Sequence, residues 1–191
     1  ISLLTNDKEI ESRFGQKGVI VKTNCGVRYL SRLSSAQLKQ DSRPAHPGQA
    51  VAVLGEIGLS ARSPIYCQSR CFSIRDAVID VVRSIQLRDS RLQEPEWPTQ
   101  VIAHYVLSPR WSNIWGESVD LNQWVEFLLQ RRLDTYCCGG THLLQSLAVI
   151  LQANDQAEFL RARTVDRVRK ACVDYSAMLE STQHDDGAWR D

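Results

Sequence analysis

The sequence predicts an all-α fold of stacked antiparallel helical hairpins. Apolar residues recur at intervals of three and four in nearly every periodic segment, which is the helical period. No segment keeps the alternation of apolar and polar residues that indicates a half-buried strand. Stretches rich in Pro, Gly and Ser separate the periodic segments. We therefore expect successive helices that reverse direction at these loops and no central sheet.

The helices of the N-terminal half are predicted from end signals as well as from periodicity. A weak candidate covers residues 26–40. The next, at 46–58, has a proline near its start and Gly58 at its end. The clearest is SIRDAVIDVVRSIQL at 73–87, whose apolar residues share one face. Its first residue is a serine followed three positions later by an aspartate, which is the spacing of an N-terminal cap.

The C-terminal half contains further predicted helices at 94–108, 120–133, 141–152 and 158–183. The first ends before Pro109, because proline disfavours helical geometry in the residue that precedes it. The other three carry apolar residues spaced by three and four, and the last can span roughly 35–40 Å at about 1.5 Å per residue. The remaining stretches are predicted loops, at 41–48, 59–67 and 107–118.

Length and charge limit the class of protein. The 191 residues, 43% of them hydrophobic, suffice for one well-filled core. We expect a single helical-repeat domain over 1–191, with its core at 46–191 and weaker signals at 1–45. A net charge of +1 provides no excess of Lys and Arg for binding nucleic acid. No apolar run approaches about 18 residues and the N-terminus lacks signal-peptide features, so we expect a cytoplasmic protein with no membrane span.

Six cysteines are spread along the chain. They are Cys25, Cys67, Cys71, Cys137, Cys138 and Cys172. A chain of this size and apolar content needs no disulfide framework, so reduced thiols are expected. Cys67 and Cys71 lie close in sequence, and they are either bridged to each other or buried as free thiols.

The C-terminal segment KACVDYSAMLESTQHDDGAWRD carries a pattern that ends in Gln-x-x-x-Gly-x-Trp. Its members are Lys170, Ala171, Tyr175, Leu179, Gln183, Gly187 and Trp189. This pattern resembles the QW repeat of squalene (terpenoid) cyclases and protein prenyltransferase-like α/α toroids, although its glutamine comes about one turn late. The glycine-rich entry CCGGTHLLQSLA is also typical of these toroids, and the combination is similar to uncharacterised bacterial toroid-like proteins.

The resemblance covers roughly residues 95–191 and implies a partial α/α toroid of about half a ring. A half ring is a truncated toroid, an open crescent, or one part of a ring that closes by pairing with another chain. In the QW repeat, the glutamine bonds free backbone carbonyls at a helix end and the tryptophan packs the turn onto the next helix. Trp189 is therefore expected to be buried.

The stretch CCGGTH at 137–142 is a candidate for chemistry. If a helix begins near Cys138, then Cys138 and His142 lie four residues apart on one face, and thiolate and imidazole both bind zinc. Two alternatives remain open. The stretch is a packing device with small core cysteines, or Cys138 is a nucleophile activated by His142.

The toroid resemblance also implies a zinc site of prenyltransferase type, made of an Asp, a Cys and a His. The chain supplies these residue types through Asp134, Cys137 or Cys138, and His142 or His184. We include His46 as a further candidate ligand, beside Cys138 and His142. The cofactor expected on this interpretation is zinc or another divalent metal.

Other polar residues have both a structural and a functional interpretation. Glu96 is the acid expected to face a pocket, because it lies beside Trp97 and about two turns from His104. Asp185 and Asp186 are interpreted as a solvated turn. The histidines are either independent or converge at one rim of helix ends; they are His46, His104, His142 and His184. The basic run RARTVDRVRK is either a solvated face or a phosphate-binding stripe.

Two functional hypotheses follow. In the first, a concave pocket belongs to an enzyme of transferase or cyclase type that acts on an apolar or isoprenoid-like substrate, with Glu96, Cys138 and His142 as catalytic residues. In the second, the chain is a non-catalytic scaffold that binds a protein partner or forms a homo- or hetero-oligomer.

Overall fold

Helices and short β-hairpins alternate along the chain, so the all-α prediction is wrong. The computed structural model describes residues 2–15, 18–30, 46, 48–87, 94–106, 108–131 and 140–187. The helices are α1 (Ser2–Thr5), α2 (Asp7–Phe14), α3 (Gln49–Glu56), α4 (Ile74–Arg83), α5 (Glu96–Tyr105), α6 (Leu121–Leu129), α7 (Thr141–Ala157) and α8 (Ala162–Thr182). The strands are β1 (Ile20–Lys22), β2 (Val27–Tyr29), β3 (Pro64–Cys67), β4 (Arg70–Ser73), β5 (Arg110–Ser112) and β6 (Ser118–Asp120).

The strands form three separate antiparallel hairpins, β1–β2, β3–β4 and β5–β6. The half-ring α/α toroid and the terpenoid cyclase-like description that went with it are therefore corrected to a mixed fold of helices and hairpins. Three segments change assignment. The predicted helix at 26–40 begins as β2 and from residue 31 lies outside the described residues, while the predicted loops 59–67 and 107–118 contain β3 and β5.

The hairpins escaped the sequence prediction because each strand is only three or four residues long. A period of two cannot be established over so few positions. The turn between β3 and β4 also lacks the glycine or asparagine that usually marks a hairpin turn. Its two central residues, Gln68 and Ser69, adopt positive φ angles of 48° and 65° instead. Cys67 is buried and Cys71 exposed on this hairpin, and both are free thiols.

Helix α4 has the predicted cap at its N-terminus. The Ser73 backbone N–H donates to the Asp76 carboxylate at 2.7 Å. The backbone N–H groups of Ile74 and Arg75 donate to the carbonyls of Ser63 and Ala61 in the segment before β3. Three N–H donors around the start of this helix are therefore satisfied.

The β5–β6 hairpin satisfies the opposite end of α4. The Trp111 indole N–H donates to the Val82 carbonyl at 3.0 Å. The Ile114 backbone N–H and the Asn113 side-chain amide donate to carbonyls at and just after the end of the helix. Carbonyls of the last helical turn have no partner within the helix, so the hairpin supplies the donors that they need.

Helix α5 lies at the centre of the fold and positions the candidate site. It packs against α3, α4 and α7. All of its residues from 96 to 102 are buried. Gly55 of α3 allows the close approach to α5, because an added Cβ would lie 2.7 Å from the His104 ring. The surrounding apolar side chains form one cluster that extends from Ile10 in α2 to Val168 in α8.

The C-terminal segment is described only as far as residue 187, so the burial expected for Trp189 stays a prediction. Residues 180–187 are exposed, and the Gln183 amide donates to the Gly187 carbonyl within its own turn at 2.7 Å. Trp189 lies outside the described residues. No helix among the described segments is both long enough and apolar enough to cross a membrane.

Candidate functional site

The candidate site lies at the N-terminal end of α5. Pro95 occupies the N-cap of α5 and Pro98 lies in its first turn. A backbone N–H at either position would have no acceptor within the helix. Proline, which lacks this group, therefore removes no hydrogen bond there. The sequence Glu-Pro-Glu-Trp-Pro thus begins the helix and brings the side chains of Glu94, Glu96 and Trp97 to one end of it.

Glu94 is held by two donors. The His46 Nδ1 hydrogen bonds to its Oε2, and the Trp97 indole N–H donates to the same oxygen at 3.2 Å. Only 7% of the Glu94 surface is exposed, so burial strengthens both contacts. The carboxylate therefore fixes the Trp97 ring and links it to His46, which precedes α3.

His142 packs on the other side of Trp97. The two ring centroids lie 4.7 Å apart, with the rings tilted by 49°. His142 is the second residue of α7, and its imidazole makes no hydrogen bond to a residue that the structure describes. One turn later, the Ser146 hydroxyl lies 2.7 Å from the His142 carbonyl and 3.1 Å from the Glu96 carbonyl, and so ties α7 to α5.

Glu96 is the most unusual group of the site. It is 2% exposed, and its Oε2 has no hydrogen-bond partner among the described residues. Burial raises the pKa of this carboxyl to about 7, because the charged form loses water. Its own backbone N–H opposes that rise, Glu94 adds to it, and the positive groups of Arg131 and His46 oppose it. The carboxyl therefore changes charge near neutral pH.

The structure brings together three of the residues selected from the sequence and separates two others. His46, Glu96 and His142 lie around Trp97, as described above. His104 lies near the C-terminal end of α5, and His184 lies in the exposed segment after α8. Glu96 and Trp97 therefore both belong to this cluster. That Glu96 is an acid facing a pocket stays a prediction.

The spacing of Cys138 to His142 stays a prediction, because Asp134, Cys137, Cys138 and Gly139 lie outside the described residues. Helix α7 begins at Thr141, directly after Gly140, whose φ is 79°.

The zinc prediction depends on Cys138 and stays a prediction. Within the described residues, no group of three or more His, Cys, Asp or Glu side chains is arranged to hold a metal ion. His46 already engages Glu94 through Nδ1, which leaves its other ring nitrogen as the available ligand atom.

Sequence reasoning missed Glu94, Gln100 and Ser146. Glu94 precedes the helix, and only its distance of three residues from Trp97 signals that the two side chains meet. Gln100 follows Glu96 by four positions and therefore shares its face of α5. The Gln100 amide lies 3.5 Å from the Ser146 hydroxyl, and both residues are fully buried.

A concave surface, the α6–α8 groove, lies between these two helices and has a volume of about 570 Å³. Its basic wall is formed by Arg161, Arg163 and Arg167 of the predicted charged run. Arg167 pairs with Glu126 and Arg161 with Asp120. Arg163 has no ion-pair partner within the part of the chain that the structure describes. The run therefore lines a groove rather than a flat face.

No protein-family model, curated protein or solved structure matches this chain. The resemblance to the toroid superfamily therefore stays a prediction from sequence, and the fold it implied is wrong.

Proposed function

We propose that the protein is an enzyme that performs acid–base chemistry on a small, largely apolar substrate at the N-terminal end of α5. The observation that carries this proposal is the carboxyl of Glu96, which is buried with one oxygen unpaired among the described residues. A carboxyl with a pKa of about 7 accepts and donates protons at neutral pH, as general acids and bases do. Strongly perturbed acids in such surroundings are concentrated at functional sites.

The neighbouring residues have roles that follow from their contacts. Glu94 and His46 hold the indole of Trp97 in place. Trp97 and His142 then present two ring systems that favour an apolar or carbonyl-containing substrate. The His142 imidazole is a second proton carrier, because its ring nitrogens are not engaged by described residues.

The reaction class that fits is proton transfer to or from a carbon next to a carbonyl group. The Glu96 carboxylate, which predominates above pH 7, takes the proton as the C–H electron pair moves towards the carbonyl, and the neutral acid so formed exchanges its proton with water and returns one to the same carbon. A protein-catalysed exchange of such protons needs no other co-substrate. A reaction of this kind should therefore speed up as the pH rises through 7.

The test uses deuterium exchange. The protein is incubated in D₂O with a panel of small apolar ketones and aldehydes, and deuterium at the carbon next to the carbonyl is followed by proton NMR. We expect catalysed exchange with at least one compound and its loss in Glu96→Gln. The matched control is Glu180→Gln, because Glu180 is exposed on α8. Exchange at the uncatalysed rate with the whole panel would overturn the proposal.

A divalent metal is a separate part of the proposal, because Cys138 precedes His142 closely in sequence. Elemental analysis of the purified protein, of Cys138→Ala and of His142→Ala distinguishes the roles of His142. Stoichiometric zinc that is lost in both variants would make Cys138 and His142 ligands. No zinc in the purified protein would leave His142 as a proton carrier.

The α6–α8 groove favours a second candidate function, the binding of an acidic segment of a partner protein. Three arginines and Phe127 line the same groove, so acidic and apolar side chains both find complementary surfaces. Fluorescence anisotropy with a labelled Glu-rich peptide tests this function. Saturable binding that weakens with salt and is lost in Arg163→Glu is expected, and equal binding by that variant would contradict it.

A further inference from the structure

One face of α5 carries the buried side-chain atoms that find no hydrogen-bond partner among the described residues. These atoms are Glu96 Oε2, Gln100 Oε1 and His104 Nε2. The three residues are spaced by four, so their side chains follow one another along the helix. Glu96 is 2% exposed and Gln100 is fully buried. We call this set the α5 polar face.

The α5 polar face is enclosed by two other helices. On the α7 side, the Gln100 amide is within hydrogen-bond distance of Ser146. On the α3 side, Gly55 packs directly against the His104 ring. The Gln100 amide group thus has a partner for its nitrogen while its oxygen has none among the described residues. Buried polar atoms are costly without partners, and buried water is the usual partner for them.

We propose that the α5 polar face binds a line of internal water molecules that connects Glu96 to His104. Neighbouring side chains on a helix face are roughly 5–6 Å apart, which is the span of two hydrogen bonds through one water. Gln100 Oε1 accepts a hydrogen bond from such a water. His104 Nε2 and the neutral Glu96 carboxyl can each bond a further one.

The line provides a route for the proton of Glu96. The O–H bond at Glu96 Oε2 breaks as its proton passes to the adjacent water, and the last water donates a proton to His104 Nε2. Glu96 is left as a carboxylate and His104 as an imidazolium. His104 is half-buried, and burial lowers its pKa while the exposed Glu56 carboxylate on α3 raises it. The imidazolium then releases a proton to bulk water at the Glu56 end of α5.

The water line itself is tested by substitution of Gln100. The substitution is made in a Ser146→Ala background, because Gln100→Leu otherwise also removes the Gln100 contact with Ser146. In a dry interior it removes an unpaired oxygen and should raise the melting temperature. If water is bound, the variant leaves the water and the groups that it contacts with fewer hydrogen bonds. The melting temperature should then fall. The control is Gln123→Leu on the exposed side of α6, where little change is expected. A raised melting temperature, or a high-resolution crystal structure that shows these three atoms without water, would overturn the proposal.

The proton route rests on the proposed function and is tested by His104→Phe, which keeps a ring against Gly55 but removes Nε2. We expect the deuterium-exchange rate to fall on the order of tenfold with unchanged KM in His104→Phe and in His104→Ala, and added imidazole to restore it in His104→Ala, where the space of the ring is free. The matched control, His184→Phe, should keep the full rate, because His184 is exposed.

The two proposals fail in different ways. Full activity in Glu96→Gln would contradict the acid–base function, whereas the melting temperature of Gln100→Leu would still report on the water line. Loss of activity in Glu96→Gln together with full activity in His104→Phe would overturn the proton route alone. Loss of activity in His104→Ala that imidazole does not restore would also overturn it, since that pattern indicates a structural role.

Discussion

Arg28 binds both carboxylate oxygens of Asp80, at 2.7 and 3.2 Å, and so joins the β1–β2 hairpin to α4. Asp80 is 2% exposed, and Thr23 on the same hairpin donates to it as well, at 2.6 Å. A buried carboxylate needs such donors, because removal of a partner leaves a charge that is neither hydrated nor paired. The N-terminal hairpin is therefore attached to the core by charge as well as by apolar contact.

Replacement of Arg28 by methionine should destabilise the protein by about 2 kcal/mol, because Asp80 then keeps only the Thr23 hydroxyl. Urea denaturation measures the free energy of unfolding. Lys170→Met is the control, since Lys170 pairs with Asp174 on the exposed surface of α8 and should change stability by less than about 0.5 kcal/mol. Equal losses of unfolding free energy in the two variants would show that the buried pair contributes no more to stability than the exposed pair.

Gly55→Ala should destabilise the protein by about 1–3 kcal/mol, because the new methyl group overlaps the His104 ring. The measurement is a double-mutant cycle with His104→Gly, because the His104 Cβ would also lie 2.8 Å from the new methyl group. Once the whole side chain is removed, Gly55→Ala should have little cost or become stabilising, since alanine is the better helix former. If Gly55→Ala costs the same stability with and without the His104 side chain, that side chain is not the source of the strain.

Stability should depend on pH through Glu96. The folded pKa of about 7 exceeds the ordinary value of 4.5, so the folded state holds this proton more tightly than the unfolded state. The resulting stabilisation is fully present below pH 4.5 and is lost as the pH rises to 7. Urea midpoints measured from pH 4 to 8 should therefore fall more steeply for the natural protein than for Glu96→Gln. If the urea midpoints of the two proteins change in parallel with pH, the raised pKa of Glu96 is contradicted.

Trp111→Phe should cost about 1–2 kcal/mol, because the Val82 carbonyl at the end of α4 loses its indole donor. Thermal unfolding of Trp115→Phe is the comparison, since Trp115 lies on the turn of the same hairpin with 53% of its surface exposed. If the second variant is as unstable as the first, the effect comes from the hairpin turn and not from the helix cap.

The sequence predicted the features whose signals are local. The face of α4 and its Ser73–Asp76 cap follow from spacing within one helix. Helix α3 likewise lies inside the predicted segment 46–58. The hairpins did not follow, because their strands are short and their stability comes from contacts made far along the chain, such as Trp111 with α4.

The site was predictable to a similar extent. Glu96 stood out because an acid beside Trp97 in an apolar helix is unusual. Glu94 could not be selected, because its importance comes from His46, which lies 48 positions earlier in sequence. The four-residue spacing of Glu96, Gln100 and His104 was present in the sequence, but burial alone distinguishes a polar face in the interior from one in solvent.

The double-ended capping of α4 has a kinetic consequence. Most helices lose hydrogen-bond protection first at their ends, because the terminal turns open without disturbing anything else. The last turn of α4 cannot open in this way, since Trp111 and Ile114 must first leave its carbonyls and Asn113 must leave the Ile85 carbonyl just after it. Amide protons of that turn and of the distant hairpin should therefore exchange with solvent in one shared event, so that two remote segments of the chain behave as a single cooperative unit.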